Sequence, residues 1–181
     1  IAKAEFDDER GNAYFTISTI GIIIIGLLIT LSTIVFHGQY VNLLCHSVQM
    51  KQFVTQYFFY YTIGIVFECY MVSLAYFIKT DGFIGMQFRA FLICNVVNII
   101  FDVIFMKFMN LGIAGAAMAT TAGHVISAVY ITLYFFKSNR TLRLIKVKTS
   151  QILVYLVDIC KSGFAGSSIP LYTTIRLIVL N

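Results

Sequence analysis

Met86-Gln-Phe-Arg-Ala-Phe-Leu-Ile-Cys-Asn-Val-Val-Asn-Ile-Ile-Phe-Asp-Val-Ile-Phe-Met-Lys-Phe108 is the stretch that decides the architecture. It meets the roughly 20 residues that a helix needs to cross a bilayer core. It is too long for a strand and lacks the alternation of a membrane barrel. Within it, Asn95, Asn98 and Asp102 fall at i, i+3 and i+7 and so share one helical face. An acid at membrane depth costs about 2.5–3.5 kcal/mol on insertion scales, which makes Asp102 a functional-site candidate by default.

Three further runs have the same length and character: Tyr14–Phe36, Phe53–Ile78 and Ile113–Phe136. A fifth begins near Gly163. Of the 181 residues, 59% are apolar and only one is proline, against the 45–50% apolar content of globular chains. The expected fold is therefore an all-α, polytopic transmembrane helical bundle. Aromatics make up 15% with no Trp, so Tyr and Phe must supply the interfacial belts.

The net charge of +5 reads as topology rather than as a nucleic-acid signal, because the basic residues lie between the apolar runs. Lys3, Arg10, Lys79, Lys137, Arg140, Arg143, Lys146, Lys148 and Lys161 fall on one side, with Arg89 just inside a span. Only Lys51 and Lys107 fall on the other. The positive-inside rule then puts residues 1–13, 79–85 and 137–162 in the cytoplasm of a multi-pass plasma-membrane protein (the cytoplasmic membrane in a bacterium). Residues 1–136 are expected to form one transmembrane unit, 137–162 a basic linker against the anionic leaflet, and 163–181 the first helix of a second lobe. The opening Ile1–Arg10 is charged and loop-like rather than a signal peptide, and the chain is expected to be an internal piece of a longer one, packing with that chain's other helices. Gly38–Lys51 reads as a longer outer loop holding a short amphipathic turn.

Neutral, Asp102 donates a hydrogen bond; ionised, it attracts a proton, Na⁺ or an organic cation. Asn95 and Asn98 are placed to bond it in either state, and the same cluster could equally join two helices. In the next span Gly115, Ala119 and Gly123 make a small-xxx-small ridge for close helix approach. Thr120, His124 and Ser127 line a polar face there, with His124 either a proton relay or a helix-to-helix bond. Thr120 follows Asp102 across a short turn, so in a hairpin these two residues are expected to face each other. Glu68, in line with Tyr57, Tyr61 and Gly64, suits a hydrophobic cation through cation–π contacts, or a basic partner elsewhere. Cys45, Cys69, Cys94 and Cys160 have neither metal-ligand nor disulfide spacing. No phosphate cradle, nucleophile elbow or other catalytic constellation appears, so an enzyme is not expected and no cofactor is implied.

These ordered pieces resemble the multidrug and toxic compound extrusion (MATE) family, twelve-helix, two-lobed cation antiporters. Tyr76-Phe-Ile-Lys-Thr-Asp-Gly82 looks like the turn after the family's fourth helix. Asn95-Val-Val-Asn-Ile-Ile-Phe-Asp102 looks like its fifth helix, Leu111-Gly-Ile-Ala-Gly-Ala-Ala-Met-Ala-Thr120 like the opening of its sixth, and Leu156-Val-Asp-Ile-Cys-Lys-Ser-Gly163 like the approach to its seventh. The resemblance covers helices three to six and the start of seven. It implies that Asp102, Asn98 and Thr120 match a cation or proton site in the N-lobe, with Asn95 a recurrent amide. The implied function is export of organic cations or drugs in exchange for H⁺ or Na⁺. Val103 stands where the family has proline, so a proline kink is expected to be missing. Val66 likewise replaces a frequent proline, Gly163-Phe164 stands for Gly-Pro, and His124 stands where Gln is frequent. The alternatives are a lipid-linked precursor flippase of the same superfamily, favoured by Arg89, and a non-transporting membrane scaffold.

Overall fold

Apolar runs without internal proline leave the backbone no partner but itself inside a bilayer, and helix is what satisfies it. The computed structural model describes residues 8–45 and 47–180. It contains α1 (Asp8–Val35), α2 (His37–Leu44), α3 (Val48–Thr80), α4 (Ile84–Asp102), α5 (Gly112–Thr132) and α6 (Thr149–Leu180). α4 continues without a break into a π-helical turn, Val103–Phe108, and α5 ends in a 3₁₀ turn, Leu133–Phe136. Among the described residues no strand occurs. Helices over Asp8–Val35, Gln49–Thr80, Ile84–Phe108 and Gly112–Phe136 are long and apolar enough to cross a membrane, matching the four expected spans. The chain is a multi-pass membrane protein.

Local chemistry adjusts the expected boundaries. α1 starts at Asp8, so Asp8, Glu9 and Arg10 are helical rather than loop. Two acids in its first turn suit the positive end of the helix dipole. The outer connection contains α2, the short helix expected there, with the Tyr40 ring 6.1 Å from that of Phe58 on α3. α6 begins at Thr149, inside the stretch read as linker, because Ile152–Val157 is an unbroken apolar run. At 33 residues and 1.5 Å per residue, α3 is about 50 Å long, well beyond the roughly 30 Å hydrocarbon core, so it tilts or projects.

The chain divides into two compact units, Thr19–Thr141 and Ile1–Ser18 with Leu142–Asn181. In the first, α5 packs against both α3 and α4. In a bilayer such packing rests on close van der Waals contact rather than on exclusion of water. The small-residue ridge supplies it: Gly115, Ala117, Ala119 and Gly123 are all buried. A Cβ on Gly123 would stand 2.7 Å from the Cys94 carbonyl oxygen, so only glycine allows α4 this near. One on Gly64 would meet Thr121 Oγ1 at 2.8 Å.

The α3–α4 turn is tied down by a carboxylate. Gly82 has φ +88, a conformation that favours glycine. Beside it, the Tyr134 hydroxyl donates to Asp81 Oδ2 at 2.6 Å, and the Thr141 amide donates to the same oxygen at 3.0 Å. The Thr141 hydroxyl donates to Oδ1. Tyr134 is completely buried. Asp81→Ala is expected to strand that phenol and to cost about 1–3 kcal/mol, the usual penalty for an unsatisfied buried donor. A thermal melt of the detergent-solubilised protein measures it, and an unchanged midpoint would remove Asp81 from the fold's supports.

In the second unit, the segment after Thr141 is laced to α1. The Arg143 amide donates to Asn12 Oδ1 at 2.7 Å and the Ile145 amide to Thr16 Oγ1 at 3.0 Å. Tyr14 donates to Asp158 Oδ2 at 3.0 Å and meets the Tyr155 ring edge-on at 4.9 Å. The basic segment 142–148 is therefore pinned by backbone bonds rather than free.

Candidate functional site

Two polar clusters hang from consecutive turns of α5. At Thr120, Asn98 Nδ2 reaches across from α4 and donates to Oγ1 at 2.9 Å. The Thr120 hydroxyl passes its own proton to the Ala116 carbonyl at 3.0 Å. The closeness enforced at Gly123 is what lets a short amide and a short hydroxyl meet. Asp102 lies one turn further along α4, half-buried, and its buried Oδ1 has no hydrogen-bond partner among the described residues.

That geometry corrects the expected pairing. Asn95 is exposed and donates to the Phe91 carbonyl of its own helix at 2.8 Å. Asn98 is committed to Thr120, so neither amide satisfies the acid. Sharing a face was insufficient: Asn95 is two turns from Asp102, too far for an amide, and Asn98 finds a better acceptor on the neighbouring helix. A half-buried carboxyl oxygen left unmatched is costly, and a proton or a cation is what would satisfy it.

The backbone changes just past the acid. Val103, in place of the family's proline, opens a π-helical turn that closes with Met109 N–H donating to the Ile104 carbonyl at 3.0 Å. The expected loss of a proline kink is therefore not a loss of distortion. Single π turns within α-helices occur often at functional sites. Here the wide turn presses against α5, where Gly115 leaves room for Phe105; a Cβ on Gly115 would stand 3.0 Å from it.

One turn along α5, about 6 Å up the axis, His124 faces α3. Its Nδ1 is 3.9 Å from Glu68 Oε2, an ion-pair distance but not a hydrogen bond, and finds no hydrogen-bond partner among the described residues. The same Glu68 oxygen accepts from the Tyr61 hydroxyl at 2.8 Å. The Tyr61 ring lies 6.3 Å from His124 and stacks on Tyr57 at 5.8 Å. The Glu68 side chain keeps 38% of its exposure while that of His124 keeps 11%. A carboxylate with two phenol rings on one side and an imidazole on the other can hold a flat cation, or a proton on the imidazole. Ser127, the third member of the polar face, instead donates to the Ala90 carbonyl at 2.6 Å and joins α5 to α4.

Sequence alone put Glu68 and Tyr61 on one face, named His124 separately and did not join the imidazole to the acid. The signal was present: the ridge that demands close approach on α5 carries His124 on the turn facing α3. Arg89, which favours the flippase alternative, donates to the Gly85 carbonyl of its own helix at 3.1 Å and joins neither cluster. Arg176 is exposed, and the helix around it belongs to the other unit.

No family model matches the chain, and no solved structure does either. Two curated relatives do. The chain is 26% identical over 166 residues to multidrug export protein MepA of Staphylococcus saprophyticus, covering 91% of this chain and 36% of that protein. It is 23% identical over 159 residues to the protein of the same name from Staphylococcus haemolyticus, covering 88% and 35%. The chain thus spans about a third of the length of the curated relatives it matches. The ordered helix motifs, the four-span bundle and these two alignments along nearly the whole sequence support a fragment of the multidrug and toxic compound extrusion family.

Proposed function

We propose that this chain carries the ion-coupling part of a secondary active antiporter, exporting organic cations in exchange for H⁺ or Na⁺. The observation that carries the reading is the orphaned carboxyl oxygen of Asp102 beside the Asn98–Thr120 bridge. An ion satisfies that oxygen, and the adjacent π turn gives the helix a place to change shape when it does. Transport would proceed by alternating access, two lobes rocking around a central cavity. Only a difference in ion affinity between the inward and outward states can drive that cycle.

In this reading Glu68, Tyr61 and His124 are the organic cation's side of the exchange. Protonated His124 and a substrate cation would compete for the one Glu68 carboxylate, while Tyr61 keeps it aimed. Glu68→Gln keeps a partner for the Tyr61 hydroxyl but removes the charge. It is expected to weaken binding of a quaternary ammonium substrate by about tenfold, from lost cation attraction of roughly 1–2 kcal/mol. Equilibrium dye binding to the full-length protein reads this directly, and an unchanged affinity would take Glu68 out of the substrate site.

The test of the whole reading is flux. Full-length protein in sealed vesicles should move a fluorescent organic cation when a proton or sodium gradient is imposed, and stop when the gradient is collapsed. A membrane scaffold would show no gradient-dependent movement.

A further inference from the structure

The linker's basic residues do more than mark the cytoplasmic side. The start of α1, the segment 145–148 and the start of α6 border a half-open cavity of about 300 Å³ lined by Glu9, Arg10, Lys146, Lys148, Gln151 and Tyr155 among others. We propose that this cavity is a receptor for a phosphate group, the headgroup of an anionic glycerophospholipid of the inner leaflet or a soluble phosphate of the same chemistry.

Lys146 and Lys148 share the lining with one carboxylate, Glu9, so the two lysines alone outweigh it and leave positive charge for an anion. The backbone carrying Lys146 and Lys148 is held in place, because the Arg143 and Ile145 amides are bonded to Asn12 and Thr16 on α1. Arg10 is steadied over the Tyr14 ring, with its guanidinium 5.7 Å from the ring centroid and its Nη2 3.3 Å from the Tyr14 hydroxyl. Tyr155 is braced edge-on by Tyr14, which keeps its phenol at the cavity wall. α6 begins at Thr149, so the positive end of its dipole lies at the same wall and adds to the attraction. Among the described residues neither lysine makes an ion pair, so both charges are available. The lining residues fall within 1–13 and 137–162, the stretches that the positive-inside rule gives to the cytoplasm, where anionic lipid is found. A preformed cavity distinguishes the arrangement from a diffuse basic tail. It grips one headgroup rather than sampling a charged surface.

Native mass spectrometry of the full-length protein, titrated with phosphatidylglycerol against a phosphatidylcholine background, tests it. Wild type should retain phosphatidylglycerol in preference to phosphatidylcholine. The double variant Lys146→Gln, Lys148→Gln should lose about 25-fold in that affinity, roughly fivefold per lysine. Lys79→Gln with Lys161→Gln removes the same charge outside the cavity and should cost less than twofold. Gln151→Glu, which sets a carboxylate into the wall without removing a cation, should weaken retention as well. Displacement of the lipid by millimolar inorganic phosphate, lost in the cavity variants, would assign the site to a soluble phosphate; no displacement would assign it to the lipid. Equal losses in both double variants, or none in the cavity variant, would overturn the proposal.

Discussion

Asp102→Asn in the full-length protein should abolish gradient-driven cation export while leaving the protein in the membrane at normal abundance. The substitution keeps the shape of the side chain and removes only its charge. Because Oδ1 has no bond to lose among the described residues, folding should be spared. The loss is the charged interaction with the coupling ion, about 1.5–3 kcal/mol, or roughly ten- to a hundredfold in ion affinity. Coupling vanishes once the two conformations no longer differ in affinity for the ion, whatever the substrate does. Vesicle flux under an imposed gradient, with protein insertion measured in parallel, separates transport from folding. Export at the wild-type rate would sink the assignment of Asp102 as the ion-binding acid. Asn98→Ala and Thr120→Ala should fall between, since each removes one half of a neutral bridge beside the acid.

The second large effect is expected at Gly123. Its missing Cβ is what brings α5 against the Cys94 carbonyl, at a separation that a methyl would reduce to 2.7 Å. The obstacle is backbone, so it has no rotamer to escape into. Gly123→Ala should push α4 and α5 apart, with an overpacking cost of about 1–3 kcal/mol. Gly123→Leu should cost more and break the Asn98–Thr120 bond. Thermal stability of the purified protein and ion-coupled flux should therefore fall together, unlike at Asp102, where flux alone falls. A Gly123→Leu protein of normal stability and activity would mean that the helices do not pack at this position.

Much of this was legible from the chain. Helix lengths came from apolar runs that the bilayer leaves no other way to fold. The ridge of Gly115, Ala119 and Gly123 announced a close helix approach, while Thr120, expected opposite Asp102, is bonded by Asn98 instead. Two things were not legible. Hydrogen bonding inside a shared face depends on reach and on competitors from other helices, so Asn95 went to its own backbone and Asp102 was left unmatched. The Asp81 tether links residues far apart in sequence, and its acid read only as part of a tight turn. Periodicity describes which way a residue points along one helix; it carries no information about which neighbour answers.

The wide turn after Asp102 also changes how related sequences align with this helix. A π turn acts like a single residue slipped into an α-helix, so the residues beyond it are rotated by about 100° from the continuous wheel. Met106, Lys107 and Phe108 therefore sit on faces other than those counted forward from Asn95. A residue-for-residue match through 103–108 to a helix without that turn would place these side chains about 100° from where they lie. The frame of this helix has to be counted forward to Asp102 and separately backward from Phe108.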